Sequence, residues 1–240
     1  MKTHWQHLAL VVALGSCKAQ SQSQPPQPPP PSNNTLSETE KAEGWRLLFD
    51  GKTTAGWRSY GKQTLSDGWT VQDGALTRTG AGGDIISNDE FKNFVLSIDW
   101  KIEPGGNSGI FYRASEEKDE IYWHAVEMQV LDDAKHPDGQ NPLQSAGAAY
   151  DLYPAPRGHV KPGGEWNSAR LVVNGNHVEH WLNGFKMADY EIGSADWNSK
   201  VAASKFKPHP QFGKNTQGHI GLQDHGNVVA YRNIKIRVLP

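Results

Sequence analysis

Five residues on two short segments have the types and the spacing for chemistry. Glu127 and Gln129 alternate with Val126, Met128 and Val130. Side chains along a strand repeat every second residue, so the two polar groups share the face opposite the three apolar ones. Near the C-terminal end Ile220 and Leu222 share a face, which turns His219, Gln223 and His225 the other way. If both strands line one concave sheet face, Glu127, Gln129, Gln223 and His225 meet. If they simply face water, they do not. A carboxyl group, an imidazole and amides gathered in one place suit proton transfer on a bound ligand. His225 and Glu127 are the two candidate bases. Histidine titrates near neutral pH, and a glutamate serves there only when burial raises its pKa.

A divalent cation is the second chemistry open to this set. Glu127, His219 and His225, close to Gln223, would make an oxygen- and nitrogen-rich site. There is no His-Glu-x-x-His motif and no cysteine cluster. His177 and His180 are three apart, which on a strand places them on opposite faces. Asp132, Asp133 and Asp138 are candidates for a calcium held in the 132–138 loop.

These residues need strands to position them, and strand signals recur along the chain. Phe94, Leu96, Ile98, Trp100 and Ile102 alternate with Val95, Ser97, Asp99 and Lys101, the pattern of a half-buried strand. Similar signals cover 45–49, 68–79, 84–87, 107–113, 124–131, 169–174, 177–182, 187–190, 218–223 and 228–238. Asp50-Gly51, Asp73-Gly74, Asn174-Gly175-Asn176 and Asn183-Gly184 punctuate them as turns that suit positive φ. No long stretch has a 3.6-residue period. Residues 133–165 and 191–217 read as long loops, which in compact domains are often functional. The expectation is an all-β chain, a single β-sandwich of about a dozen strands.

The ends and the composition define the setting. Lys2, the apolar run Leu8–Leu14 and then Leu14-Gly15-Ser16-Cys17 read as a signal peptide over 1–17, too short to span a bilayer. Leu-Gly-Ser-Cys resembles a lipobox, in which Cys17 is lipidated. The alternative is an ordinary secretory signal with a chance cysteine. Cys17 is the single cysteine, so the core must hold without disulfides. Residues 18–41 are rich in Pro, Ser and Gln and carry six of the 15 prolines. They read as a disordered, semi-rigid tether to a body at 42–240. The expected location is the bacterial cell envelope, exported to the periplasm or cell surface, with the membrane touched only through the lipid. With 24 basic and 26 acidic residues, and no basic block, the chain lacks the phosphate contacts of a nucleic-acid binder.

Nine segments carry a family resemblance. They are Gly44-Trp-Arg-Leu-Leu-Phe-Asp-Gly51, Gly56-Trp57, Asn107-Ser-Gly-Ile-Phe-Tyr-Arg113, Glu127-Met-Gln-Val-Leu-Asp132, Gly147-Ala-Ala-Tyr-Asp-Leu-Tyr153, Gly164-Glu-Trp-Asn167, Val178-Glu-His-Trp-Leu-Asn-Gly184, Gly218-His-Ile-Gly-Leu-Gln-Asp-His-Gly226 and Tyr231-Arg-Asn-Ile-Lys-Ile-Arg237. In this order the chain resembles the 3-keto-disaccharide hydrolases across essentially all of 44–240. The resemblance implies a concanavalin-like jelly-roll sandwich and cleavage of a glycoside whose sugar is oxidised at C3. A 3-ketone acidifies the C2 proton, so a base can start an elimination that expels the C1 substituent, and water then adds back. That route needs a base, a group to stabilise the enolate oxygen and an acid for the leaving oxygen. No Gly-x-Gly-x-x-Gly loop is present, so a separate sugar 3-oxidoreductase is implied as a partner.

The resemblance extends the candidate set. Arg113 would stabilise an enolate, or else join a surface ion pair. Tyr150 and Asp151 would supply the acid or orient the sugar, and Asp151 would otherwise cap a turn. Asn107, Gln129 and Gln223 are hydroxyl partners. Trp123 precedes the Glu127 strand and is a candidate sugar platform, with Trp57 and Trp166 behind it. Trp100 fits the core. Glu127-Met-Gln-Val-Leu-Asp132 is distantly similar to the Glu-x-Asp-x-Glu strand of retaining sandwich glucanases. Here, however, Gln129 and Leu131 replace the second and third acids, and Asp132 has the wrong parity. The paired-carboxylate machinery of ordinary glycoside hydrolysis is thus incomplete. A non-catalytic glycan-binding module is the alternative to an enzyme.

Overall fold

The computed structural model describes residues 1–2, 32–116 and 119–240. Cys17, nearly all of the signal segment and residues 18–31 lie outside the described residues. Residues 31–240 make one compact unit, and among the described residues no helix is long and apolar enough to cross a membrane.

The alternating pattern at 94–102 becomes strand β6, Phe94–Ile102, at the heart of the first sheet. That sheet also holds β1 (Trp45–Leu47), β3 (Trp69–Gln72), β4 (Ala75–Arg78), β9 (Asn167–Asn174), β10 (His177–Leu182), β11 (Phe185–Glu191) and β13 (Val229–Val238). Its order is β11-β10-β9-β6-β13-β4-β3, and β1 also pairs with β13. The second sheet runs β2 (Trp57–Ser59), β5 (Ile85–Phe91), β12 (Gly218–Leu222), β7 (Asn107–Ala114) and β8 (Val126–Leu131). Among the described residues these strands pair antiparallel throughout. The two sheets form a concanavalin-like jelly-roll sandwich.

The turns form for the expected reason. Asp73 and Gly74 have φ of 49° and 73°, and Asn183 and Gly184 have 51° and 86°. Two successive positive φ values match the twist of the β3–β4 and β10–β11 hairpins. Phe94, Leu96, Ile98 and Trp100 are fully buried and meet Ile110, Met128, Val130, Ile220 and Leu222 of the other sheet in one core cluster. Several polar groups trapped there are paired, although the Trp100 ring N–H is not. Ser108 Oγ donates to the carbonyl of Gln223 and lies 2.8 Å from the Tyr231 hydroxyl. His180 Nδ1 sits 3.1 Å from the Gly147 carbonyl, and burial pulls the imidazole pKa down to about 4, so it is neutral in the core.

Three features differ from the sequence reading. Residues 191–217 are not all loop: α2, Ala195–Ala203, is capped by Ser194, whose hydroxyl accepts from Trp197 N. Only Trp197 of this helix is buried, so no apolar stripe marks it. Strand β2 also escaped the strand signals. The folded body, in turn, starts before residue 42. Asn34 and Asn233 bond reciprocally, backbone N–H to side-chain Oδ1, at 2.6 and 2.8 Å. A short helix α1 (Glu38–Ala42) follows, and Glu40 pairs with Lys235. Residues 32–41 therefore belong to the sandwich rather than to the tether.

Candidate active site

The outer face of the second sheet carries a cleft of about 430 Å³ lined by Asn107, Tyr122, Trp123, Glu127, Gln129, Asp138, Tyr150, Lys205, Gln223 and His225. Strand register explains its floor. Gly109 pairs with Gln129, and Gln223 N donates to the Gly109 carbonyl. Gln223 follows Leu222, which pairs with Ile85 and with Ile110. Asp84, Gln223, Gly109 and Gln129 thus lie in one row across four strands. Gly109 has no side chain, and the space above it is filled by Glu127: a Cβ there would collide with Glu127 Oε1, Cδ and Cγ.

Glu127 is 8% exposed. Burial pushes its pKa up to about 8, Lys205 pulls it back, and Asp84 adds repulsion. Asp84 is half-buried and accepts from Asp224 N at 2.8 Å, and burial raises it to about 7. Around Glu127 the neutral groups present acceptors. Asn107 Oδ1, Gln129 Oε1 and Gln223 Oε1 are all buried without a protein partner. The orientation of Gln129 follows from its Nε2, which donates to the Gln144 carbonyl. Such acceptors fit hydroxyl donors of a bound sugar.

The rim is aromatic. The loop after β8 folds back so that Tyr150 N donates to the Glu127 carbonyl and Gly147 N to that of Gln129. This covers the free edge of β8 and fixes Tyr150, whose hydroxyl pKa is pushed up to about 12, chiefly by burial. Trp123 ends a 3-10 turn at Ile121–Trp123 and stacks on His209 with centroids 4.0 Å apart. Segment 204–217 is held down by stacked Phe206 and Phe212 and by Trp197 on Phe212, and it delivers Lys205 to the cleft. His225 lies at the exposed rim.

The cleft therefore unites Glu127, Gln129, Gln223, His225, Asn107, Tyr150 and Trp123, with Asp138 from the 132–138 loop. Several other expectations are corrected. Arg113 has a φ of 52°, beside an irregularity in β12, so the alternation of β7 breaks there. Its guanidinium donates instead to the carbonyls of Lys92 and Gly175, tying together two turns. Asp151, also at positive φ, brings its carboxyl 3.4 Å from the Gln144 side-chain amide, donates its N–H to the Leu143 carbonyl and does not line the cleft. His219 sits at the far end of β12, 3.5 Å from Glu90, so Glu127, His219 and His225 do not converge on one ion. Among the described residues, the trio with ligand atoms within 4.8 Å of one another is His177, Glu179 and Asp189, where Lys186 Nζ already bonds both carboxylates. Asp132 and Asp133 are spent on backbone N–H groups of Gly105, Ala134 and Ala146. Trp57 is in the core, and Trp166 lies under Arg232. Sequence reasoning missed Lys205, Tyr122 and Asp84. For Asp84 a signal existed, since parity with Ile86 places it on the cleft side. Lys205 lies in an aperiodic segment.

A jelly-roll sandwich with a buried carboxyl, hydroxyl acceptors and an aromatic rim on one sheet defines a glycoside-acting protein. The chain belongs to the family described as the 3-keto-alpha-glucoside-1,2-lyase-like domain, whose model matches residues 44–237. A 3-keto-disaccharide hydrolase of Bacteroides thetaiotaomicron is 39% identical over 230 residues, covering 82% of this chain and 79% of that one. A crystal structure from Parabacteroides distasonis, named as a candidate glycosyl hydrolase, superposes with a TM-score of 0.82 at 35% identity. It covers 87% of this chain and 100% of its own. A second such structure from that organism has a TM-score of 0.65 at 31% identity, covering 81% and 99%.

Proposed function

We propose that this protein cleaves 3-keto-glycosides by elimination followed by hydration, with Glu127 as the base. The observation that carries the reading is the buried Glu127 carboxyl seated over Gly109 among three unpartnered amide oxygens. The 3-keto sugar lies on the floor, its hydroxyls donating to Asn107, Gln129 and Gln223. Glu127 removes the C2 proton, and the electron pair moves into the C2–C3 bond as the C3 oxygen becomes an enolate. The enolate collapses, C1–C2 becomes a double bond, and the C1–O bond breaks. The leaving oxygen takes a proton from His225 at the rim, where the departing group meets solvent. Water then adds at C1, a proton returns to C2, and the 3-keto sugar leaves. A base whose pKa lies near the working pH suits this cycle. A single carboxyl suffices, which fits Gln129 standing where a retaining glucanase has a second acid.

The same reading places the protein in the cell envelope, exported and anchored through Cys17, as the lipobox-like segment supports. It also calls for a separate oxidoreductase to supply the C3 ketone. The test is turnover of a 3-keto-glucoside by the full chain, beside the matched unoxidised glucoside and a chelator-treated sample. Cleavage of the keto-sugar alone is expected. Saturable binding of an unmodified oligosaccharide with no cleavage of either would make the protein a glycan-binding module instead.

A further inference from the structure

We infer that Lys205 is a catalytic residue that holds the C3 oxygen and stabilises the enolate, an inference that rests on the 3-keto reading above. Lys205 is the one lysine or arginine among the residues lining the cleft. Its ammonium lies 4.3 Å from the Tyr150 ring centroid, 5.3 Å from Phe206, 5.7 Å from Tyr122 and 5.8 Å from Trp123. Rings on several sides hold a cation in place without neutralising it. Among the described residues no carboxylate lies within ion-pair distance of it, although the fold pairs Lys186, Lys200 and Lys235 with acids. The charge is therefore available to a ligand.

Its position suits the charge that develops. Lys205 acts electrostatically on Glu127, the group that would take the C2 proton. As that proton leaves, negative charge passes from the Glu127 carboxylate to the C3 oxygen. A fixed cation near both favours the enolate over the ketone, and a charge already held in place by the surrounding rings costs no reorganisation at the moment of reaction. Lys205 comes from segment 204–217 and not from the strands that carry the base and the hydroxyl acceptors. The ketone and the rest of the ring are thus held by separate parts of the chain. Lys205 itself is exposed, and its neighbour Phe206 anchors the segment in the core, so its ammonium is not needed for folding.

The test is steady-state kinetics of full-length wild type, Lys205→Met and Lys205→Arg on a 3-keto-glucoside, with protiated and C2-deuterated substrate. Lys205→Met is expected to lower kcat by about 10²–10³-fold with KM within a few-fold and an unchanged melting temperature. Lys205→Arg should recover part of the loss, and the deuterium effect should rise in Lys205→Met as proton removal becomes slower. A wild-type kcat in Lys205→Met overturns the inference, as does a loss confined to KM. Borohydride trapping of a substrate adduct on Lys205 also overturns it, because the lysine would then act as a nucleophile. A wild-type chain that leaves the keto-sugar intact overturns the parent reading and this inference with it, a result separable from the others because no variant is needed to see it.

Discussion

Gly109 and Glu127 occupy neighbouring strands, and the carboxyl of one fills the space where the other would carry a Cβ. The proposed base is thus seated by the absence of a side chain. Gly109→Ala should drive the Glu127 carboxyl off its seat. A displacement of about 1 Å at a reacting group costs on the order of 10²-fold in rate. The expected result is a fall in kcat of that size in a protein with a native circular dichroism spectrum. Wild-type turnover in Gly109→Ala would show that the seat is dispensable.

Glu127 also leaves a mark on stability. Its folded pKa is raised from 4.5 to about 8, mainly by burial. Between those values the unfolded chain has lost the proton while the folded chain keeps it, so this group lowers stability as pH rises from about 4.5 to 8. Glu127→Gln removes the effect. The variant should melt higher than wild type at pH 8 and about equally at pH 4, by a few kcal/mol at most. Asp84, raised to about 7, acts with the same sign, and His180, lowered to about 4, acts with the opposite sign. The difference between variant and wild type isolates Glu127. Melting scans across pH 4–8 check it, and parallel curves would show that Glu127 titrates normally.

Arg113 should behave as a structural residue. Removing it leaves the Lys92 and Gly175 carbonyls without their charged donor, a loss of roughly 2–4 kcal/mol. Arg113→Ala should lower the denaturation midpoint, while kcat/KM at a temperature where it remains folded stays within a few-fold of wild type. A selective collapse of kcat would return Arg113 to the reaction.

Trp123 lends one face to His209 and lines the cleft. Trp123→Ala should weaken substrate binding about two- to tenfold, seen as a higher KM with kcat little changed, in line with about 0.5–1.5 kcal/mol for an aromatic contact. An unchanged KM would place the sugar elsewhere in the cleft.

How much of this was legible in the sequence depended on whether alternation survived. Along Phe94–Ile102 and Val126–Leu131 it did, and parity separated core from cleft correctly, down to Glu127 and Gln129. At Arg113 a single positive φ re-aimed the side chain, and nothing in Asn-Ser-Gly-Ile-Phe-Tyr-Arg announces that. His219 had the right face but the wrong end of β12, because parity says which way a side chain points and not how far along the strand the site lies. Lys205 reaches the cleft only through ring stacking among Trp197, Phe206 and Phe212, contacts between residues with no common period. Asn34 was hidden by its proline-rich neighbours, since composition says nothing about a pair of reciprocal bonds to a residue 199 positions away.

That asparagine pair makes its own prediction. Asn34→Ala removes the side-chain bonds to Asn233 N and to the Gly74 carbonyl, and should cost about 1–3 kcal/mol without changing turnover. Chemical denaturation measures it, and an unchanged midpoint would mean that the body starts further along the chain.

The same pair has a mechanical side. β13 lies between β6 and β4 in the larger sheet, and Asn34 grips it at Asn233. A pull applied at Ser32 therefore enters the fold at an interior strand and not at a free edge. Drag on the body would load a strand that has ladder partners on both sides, while the cleft is built on the other sheet.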